Sequence, residues 1–333
     1  MTAEYPTARP TDADALGAGV RLPPALVNLP WIDPHNHAHT LSWADRERYE
    51  LAGCRAMVMI ASGSHWTPYR PVRPADVRFL WDDALNRLTT IRRDHFFEAR
   101  LAVGVQTRIR VADVESLVEA MDRYGALDEV VAVGEIGVTP TQHVHAWSAD
   151  EQRRLVAQQM AVANRHHLPV ILHTPSGTGR DDDRYRTGLN VPGYERNGSL
   201  DRAPVIDAED PALEAVRMDV DAARDAGLPD ERLVASHADP NNAPYLFEHT
   251  DCYLSYTIGH PWLTGTSART VADAIEAYGP ERIMVDTDCA NVLRSDVLAI
   301  KRAVFELYRL GVDEDAIRRV VYENAREVFG VGE

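Results

Sequence analysis

Two histidines one residue apart, His35 and His37, close an apolar run in Trp31-Ile32-Asp33-Pro34-His35-Asn36-His37-Ala38-His39-Thr40. Residues two apart share one face of an extended chain. His35 and His37, with His39 if the strand continues, then point the same way. Two imidazoles held that closely make a pincer for a transition metal. Alone, the pattern fits equally a polar loop that binds nothing. Four more donors stand at or just past the ends of other short apolar runs. They are Glu135 in Val133-Gly134-Glu135-Ile136-Gly137, His173 in Val170-Ile171-Leu172-His173-Thr174, His237 in Val234-Ala235-Ser236-His237-Ala238-Asp239, and Asp288 in Met284-Val285-Asp286-Thr287-Asp288. Any one could be a satisfied core histidine or a helix-capping acid. Core packing does not call for six at equivalent positions, so the set points to a metal centre.

The elements that must position these donors follow from the periodicity. Strands are expected near Val27–Asp33, Arg55–Ala61, Phe96–Val105, Val130–Ile136, Leu168–His173, Arg232–His237, Cys252–Tyr256 and Arg282–Thr287. Helical spacing fills the gaps, including Ser42–Leu51 with Ser42 as N-cap and Ser148–His167 opened by the capping-box pair Ser148 and Glu151. The last helices are expected over Asn241–His249, Thr266–Tyr278, Asp296–Leu310 and Asp313–Phe329. Eight strands alternating with helices predict an α/β fold, a single (β/α)8 TIM barrel. An open doubly wound sheet would want a Gly-rich turn after its first strand, and none is there. In such barrels catalytic groups sit where strands meet the following loops. Residues 1–26, with four prolines, read as an irregular N-terminal arm before a domain spanning 27–333. A long insert at about 175–210, after strand five, is rich in Gly, Asp and Arg and has no strong period; a stretch of this kind is a lid or an interface.

Composition narrows the setting. The 333 residues are 45% hydrophobic, and no apolar run approaches the roughly 20 residues that span a bilayer. Neither a signal nor a transit peptide is readable at the N-terminus, and three scattered cysteines offer no disulfide framework, so a cytoplasmic setting is expected. The net charge of −16 opposes long-range capture of a polyanion, so stable binding of duplex nucleic acid is not expected. Lys301 is the only lysine; such an acidic, lysine-poor chain fits either adaptation to salt or a codon-biased genome.

The ordered donors resemble the amidohydrolase-type metal hydrolases, and within them the TatD family. The matching motifs are Asp33-Pro34-His35-Asn36-His37, Gly134-Glu135-Ile136-Gly137, Leu168-Pro169-Val170-Ile171-Leu172-His173, Asp286-Thr287-Asp288, and Glu323-Asn324-Ala325-Arg326-Glu327-Val328-Phe329-Gly330. The resemblance implies a cofactor of two divalent metal ions. His35 and His37 would hold one and His173 and His237 the other. Glu135 would bridge them, and Asp288 would complete the first site and handle the proton as the catalytic acid-base group. Many relatives bridge with a carboxylated lysine; Lys301 lies after strand eight, so that option is closed here. Imidazole ligands favour zinc, and the carboxylates also admit manganese or magnesium. Asp286 is expected to support a neighbouring ligand, and Cys289 to be a small buried hydrophobe. With the histidine positions filled, His39 is left as a pocket-rim group.

The resemblance also implies a phosphoesterase or deoxyribonuclease activity on a small-molecule or short phosphoester substrate. Two departures pull away from it. His237-Ala238-Asp239-Pro240 looks more like the phosphotriesterase and lactonase branch, and Cys289-Ala290-Asn291 replaces the family's continuation after strand eight. A lactonase or amidohydrolase acting on a carbonyl substrate is therefore the alternative. A metal-binding barrel without turnover is the third reading, disfavoured by the intact donor set. Candidate substrate contacts are His39, His65, Trp66, Arg180, Tyr256, His260 and Trp262, which fall at strand ends or in the insert.

Overall fold

A computed structural model describes residues 22–63, 71–143, 147–175, 202–260, 264–290 and 295–333. Eight strands lie side by side in one parallel sheet: β1 (Trp31–Asn36), β2 (Cys54–Gly63), β3 (Glu98–Val105), β4 (Val130–Ile136), β5 (Val170–His173), β6 (Leu233–Ser236), β7 (Tyr253–Thr257) and β8 (Ile283–Asp286). The two edges meet just past β8. There the Asp288 N–H donates to the His35 carbonyl and the His37 N–H to the Cys289 carbonyl, each at 2.8 Å. Helices fill the crossovers, so the architecture is the (β/α)8 barrel that the alternation predicts.

Alternation along the strands divides the core in two. One set of side chains faces the helices, including Trp31, Met57, Leu101, Val133, Leu172, Leu254 and Val285. The other fills the barrel: Ile32, Val58, Ile60, Ala102, Ile171, Val234 and Met284, joined by Phe329 and Val331 from the chain's end. The C-terminal tail closes the end where the strands begin. The Gly332 N–H donates to the Glu98 carboxylate at the start of β3 (2.7 Å), and the Tyr322 hydroxyl to the Gly332 carbonyl (2.6 Å). The opposite end is left for polar groups.

Local chemistry accounts for the helix boundaries. Ser148 accepts from the Glu151 N–H at 3.3 Å while the Glu151 carboxylate accepts from the Ser148 N–H at 2.8 Å, opening helix Ala149–Arg165. Asp210 caps Pro211–Asp225 through the N–H groups of Ala212 and Leu213.

Several expected boundaries move. Strand one starts at Trp31 rather than Val27, because Pro24 at a first-turn position opens one helical turn over Pro24–Val27. The helix expected from Asp296 begins at Ala299, and the one from Asn241 begins at Ala243. The closing helix is Glu314–Arg318 and Asn324–Phe329, joined by a π-helical turn over Arg319–Glu323. Within the stretch assigned to the insert, Arg202–Pro204 pairs antiparallel with Thr141–His143, a contact with no periodic signal. Among the described residues no helix is long and apolar enough to cross a membrane.

Candidate metal centre

At the polar end each strand delivers its donor through its own backbone path. Gly134 lets β4 lie against β5: a Cβ there would stand 2.7 Å from the Ile171 carbonyl oxygen, and its φ of +156° suits glycine. His237 and Asp288 take left-handed backbone, with φ of 62° and 45°. Such conformations are unfavourable for residues with a Cβ and recur at functional sites. His37 lies just beyond β1, and His39 sits in the short 3-10 turn Ala38–Thr40. The alternating pattern therefore ends before His39, which stands beside His37 with ring centroids 6.2 Å apart.

The carboxylate of Glu135 is the hub. Its Oε2 is 2.6 Å from His173 Nδ1, 3.3 Å from His35 Nε2 and 3.6 Å from His237 Nε2, and its Oε1 is 3.9 Å from His37 Nε2. Asp288 Oδ1 lies 3.3 Å from His37 Nε2 and 3.6 Å from His35 Nε2. Two donor groups result, His35–His37–Glu135 and Glu135–His173–His237, each with donor atoms within 4.8 Å of one another. Glu135 is common to both.

In His37 and His237 the second ring nitrogen is held by a neutral partner. His37 Nδ1 meets the Ile60 carbonyl at 2.9 Å, and His237 Nδ1 meets the Thr257 hydroxyl at 2.8 Å. Nε2 of each then points at the carboxylates, the arrangement that outer hydrogen bonds impose on metal-binding imidazoles. Both nitrogens of buried His35, and His237 Nε2, make no hydrogen bond. Leaving buried polar atoms without partners is costly. A divalent cation between the Nε2 atoms of His35 and His237 and the Glu135 oxygens would satisfy those two nitrogens, and the N/O donor set is chemically suited to one.

Electrostatics agree. Burial would raise the Glu135 carboxyl, but the surrounding imidazoles, His173 first, hold it well below the usual range. Asp288 is held low against burial by the adjacent imidazoles of His260 and His37. Burial opposes charge on His35, yet Glu135 and then Asp288 push it up to about 10. His173 goes the other way, down to about 4, through burial and the nearby Arg108. Burial lowers His39 to about 3, with His37 and Arg87 adding to it. Where Glu135 and Asp288 hold protons on His35 and His37, the same carboxylates favour a cation.

A buried clasp sits beneath the donors. Asp33 Oδ1 accepts from the Thr287 N–H at 3.1 Å; its Oδ2 accepts from the Thr287 and Tyr49 hydroxyls at 2.6 and 3.0 Å. It ties the strand carrying His35 to the one leading to Asp288. Asp286 accepts from the Ser255 hydroxyl at 2.5 Å and remains outside both donor groups. Cys289 is fully buried and its thiol is pushed up to about 12, mainly by burial.

The proposed substrate contacts separate. His260 is buried with Nε2 3.1 Å from Asp288 Oδ2, so it faces the carboxylate. Tyr256 is a correction: it is 1% exposed and packs in the outer core between strands and helices. Its neighbours Ser255 and Thr257 point inward, and alternation sends Tyr256 away from the site. His65, Trp66, Arg180 and Trp262 lie outside the described residues. Asp239 accepts from the N–H groups of Asn241 and Asn242 at 2.8 and 3.0 Å, so the departure after His237 is a tight turn.

Sequence reasoning missed Gln106 and Arg108. Gln106 is buried and its side-chain amide donates to Glu135 Oε1; Arg108 Nη2 lies 2.7 Å from His173 Nε2. Gln106 directly follows β3, a position equivalent to donors on other strands, and that was the available signal.

The family model described as TatD related DNase matches residues 32–191, the stretch that carries His35, His37, Glu135 and His173. The chain is similar to TatD-like metal-dependent hydrolases. It is 24% identical over 300 residues to an uncharacterized metal-dependent hydrolase of Methanocaldococcus jannaschii, covering 90% of this chain and 99% of the relative. A TatD-like protein of Archaeoglobus fulgidus superposes with a TM-score of 0.58 at 19% identity, covering 90% of this chain and 100% of that one. The phosphotriesterase homology protein of Escherichia coli, complexed with phosphate in its active site, superposes at 0.60 and 11% identity, covering 91% and 99%. Both structural likenesses speak to the fold. The donors around Glu135 are the candidates for holding a divalent metal.

Proposed function

We propose that this hydrolase cleaves phosphoester bonds of a small or short substrate at a binuclear centre. In this reading His35 and His37 would hold one cation and His173 and His237 the other, with Glu135 shared between them and Asp288 completing the first site. The observation that carries it is that one buried carboxylate belongs to both donor groups. A negative bridge is what keeps two cations together at short range. When bound, divalent ions lower the pKa of water and polarise the phosphoryl oxygen; zinc fits the four imidazoles first. Asp288 receives the proton of the attacking water on its carboxylate and passes it to the leaving oxygen. His260, 3.1 Å away, keeps that carboxylate oriented and ionised. His37 and His237 are fixed by the Ile60 carbonyl and the Thr257 hydroxyl, so little reorganisation is needed at the moment of reaction.

The test compares single-stranded DNA, a nitrophenyl phosphodiester and a lactone panel under one metal, alongside metal analysis of the mildly purified protein. Phosphodiester cleavage with two equivalents of metal is expected. Cleavage confined to the lactones overturns the substrate class, and one equivalent at full activity overturns the bridge.

A further inference from the structure

Arg108 is the charged group at the site that hydrolysis by the Glu135 centre leaves unused. Its loop is held firmly. The buried Gln159 side chain brackets Val105, accepting from its N–H at 2.9 Å and donating to its carbonyl at 3.1 Å. The Thr107 hydroxyl donates to the Gly137 carbonyl at 2.7 Å, and Gln106 donates to Glu135. Arg108, the next residue, is thereby aimed at the mouth of the centre. Its side chain is partly exposed, and among the described residues no carboxylate pairs with it. Among the described residues, one of its five guanidinium N–H donors, at Nη2, is engaged, on His173 Nε2 at 2.7 Å.

That contact conflicts with the use of His173 as a ligand. His173 Nδ1 faces Glu135 Oε2 at 2.6 Å, and its Nε2 faces Arg108. A neutral imidazole carries one proton. With the proton on Nδ1 it donates to Glu135 and accepts from Arg108, satisfying both contacts. If Nδ1 instead gives its lone pair to a cation shared with Glu135 and His237, the proton must sit on Nε2. Two N–H donors then face each other at hydrogen-bond distance, and the guanidinium must turn away. Its fork then stands free beside the Glu135–His173–His237 group, where a bound anion can accept from it.

We propose that Arg108 is the substrate's anion receptor: a guanidinium parked on His173 until metal occupancy releases it to clamp two anionic oxygens beside the scissile bond. The planar fork of arginine suits a phosphate or a carboxylate bidentately. This rests on the reading of His173 as a ligand in a hydrolytic centre, and it deepens that reading by requiring an anionic substrate.

The experiment uses the metal-loaded protein and the variants Arg108→Gln and Arg108→Lys. Binding of inorganic phosphate and of acetate is measured by calorimetry, which needs no turnover. Phosphate binding is expected to weaken about ten- to hundred-fold in Arg108→Gln, with metal content unchanged and Arg108→Lys recovering part. A larger loss for phosphate than for acetate assigns the receptor to a phosphate, and the reverse to a carboxylate. Equal binding of both anions by wild type and Arg108→Gln overturns the proposal. On a turned-over anionic substrate, KM should rise in Arg108→Gln by at least ten times more than on a neutral lactone; an equal rise on both overturns it. Imidazole 15N shifts of His173 give a separate readout: Nε2 should be unprotonated in chelator-stripped protein and protonated after loading. No turnover by the wild type would count against the hydrolytic reading alone, because the binding and 15N results still decide the role of Arg108.

Discussion

Inside the barrel, Ile32, Ala102, Ile171 and Met284 meet Phe329 and Val331 at one end, while His35, Glu135 and His237 crowd together at the other. Both regions are buried to nearly the same degree. The apolar end gains from burial at about 25 cal/mol per Å² and from close contact. The polar end loses by it: buried nitrogens on His35 and His237 are left without partners, and two residues hold left-handed backbone. A single barrel therefore combines a region that stabilises the fold with one that draws on that stability to keep ligands in place. Substitutions at the two ends should therefore separate stability from activity.

The largest effect should come from Asp288→Asn. If the polar end is built for chemistry, kcat falls by about 10²–10⁴-fold while metal content and thermal midpoint stay near wild type. Retained turnover would place the proton-handling group elsewhere. At the apolar end Phe329→Ala should cost about 3–5 kcal/mol of stability, read by denaturant unfolding, with kcat per folded molecule unchanged. A matching loss of kcat would mean that the two ends are not separable.

A pH experiment sharpens the contrast further. His35 is raised from 6.5 to about 10 by Glu135 and Asp288 acting against burial. A raised imidazole stabilises the fold while protonated, fully below 6.5, and the contribution disappears as pH rises through about 10. Chelator-stripped protein should therefore lose thermal midpoint over that window, and metal uptake at neutral pH should release protons, measurable by titration calorimetry in two buffers. Uptake without proton release would show that His35 is already neutral. The smallest effect belongs to Tyr256→Phe, which should leave kcat/KM unchanged because the ring packs on the outer face; a clear drop in kcat/KM would return it to the substrate side.

The donors were legible because each stands at or just past the end of a short, mostly apolar run. Glu135, His173 and His237 sit at such ends, and Asp288 two residues beyond one. Strand boundaries were less legible where prolines compete with the pattern, as at Pro24 before β1. Tyr256 was misread because an apolar aromatic at a strand end gives no sign of which face it takes; the inward turn of Ser255 and Thr257 does. Gln106 and Arg108 were missed because glutamine and arginine are ordinary loop residues until Glu135 and His173 are placed against them.

The sequence by itself determined the barrel, the donor types and their order, because strand periodicity and residue chemistry are local properties. Only the tertiary structure decided that Glu135 is shared by both histidine pairs, that Asp33 clasps Thr287 across the closing seam, and that Arg108 stands on His173. These contacts join residues far apart in the chain. They depend on which strands become neighbours when the sheet closes, a relation that no local pattern encodes.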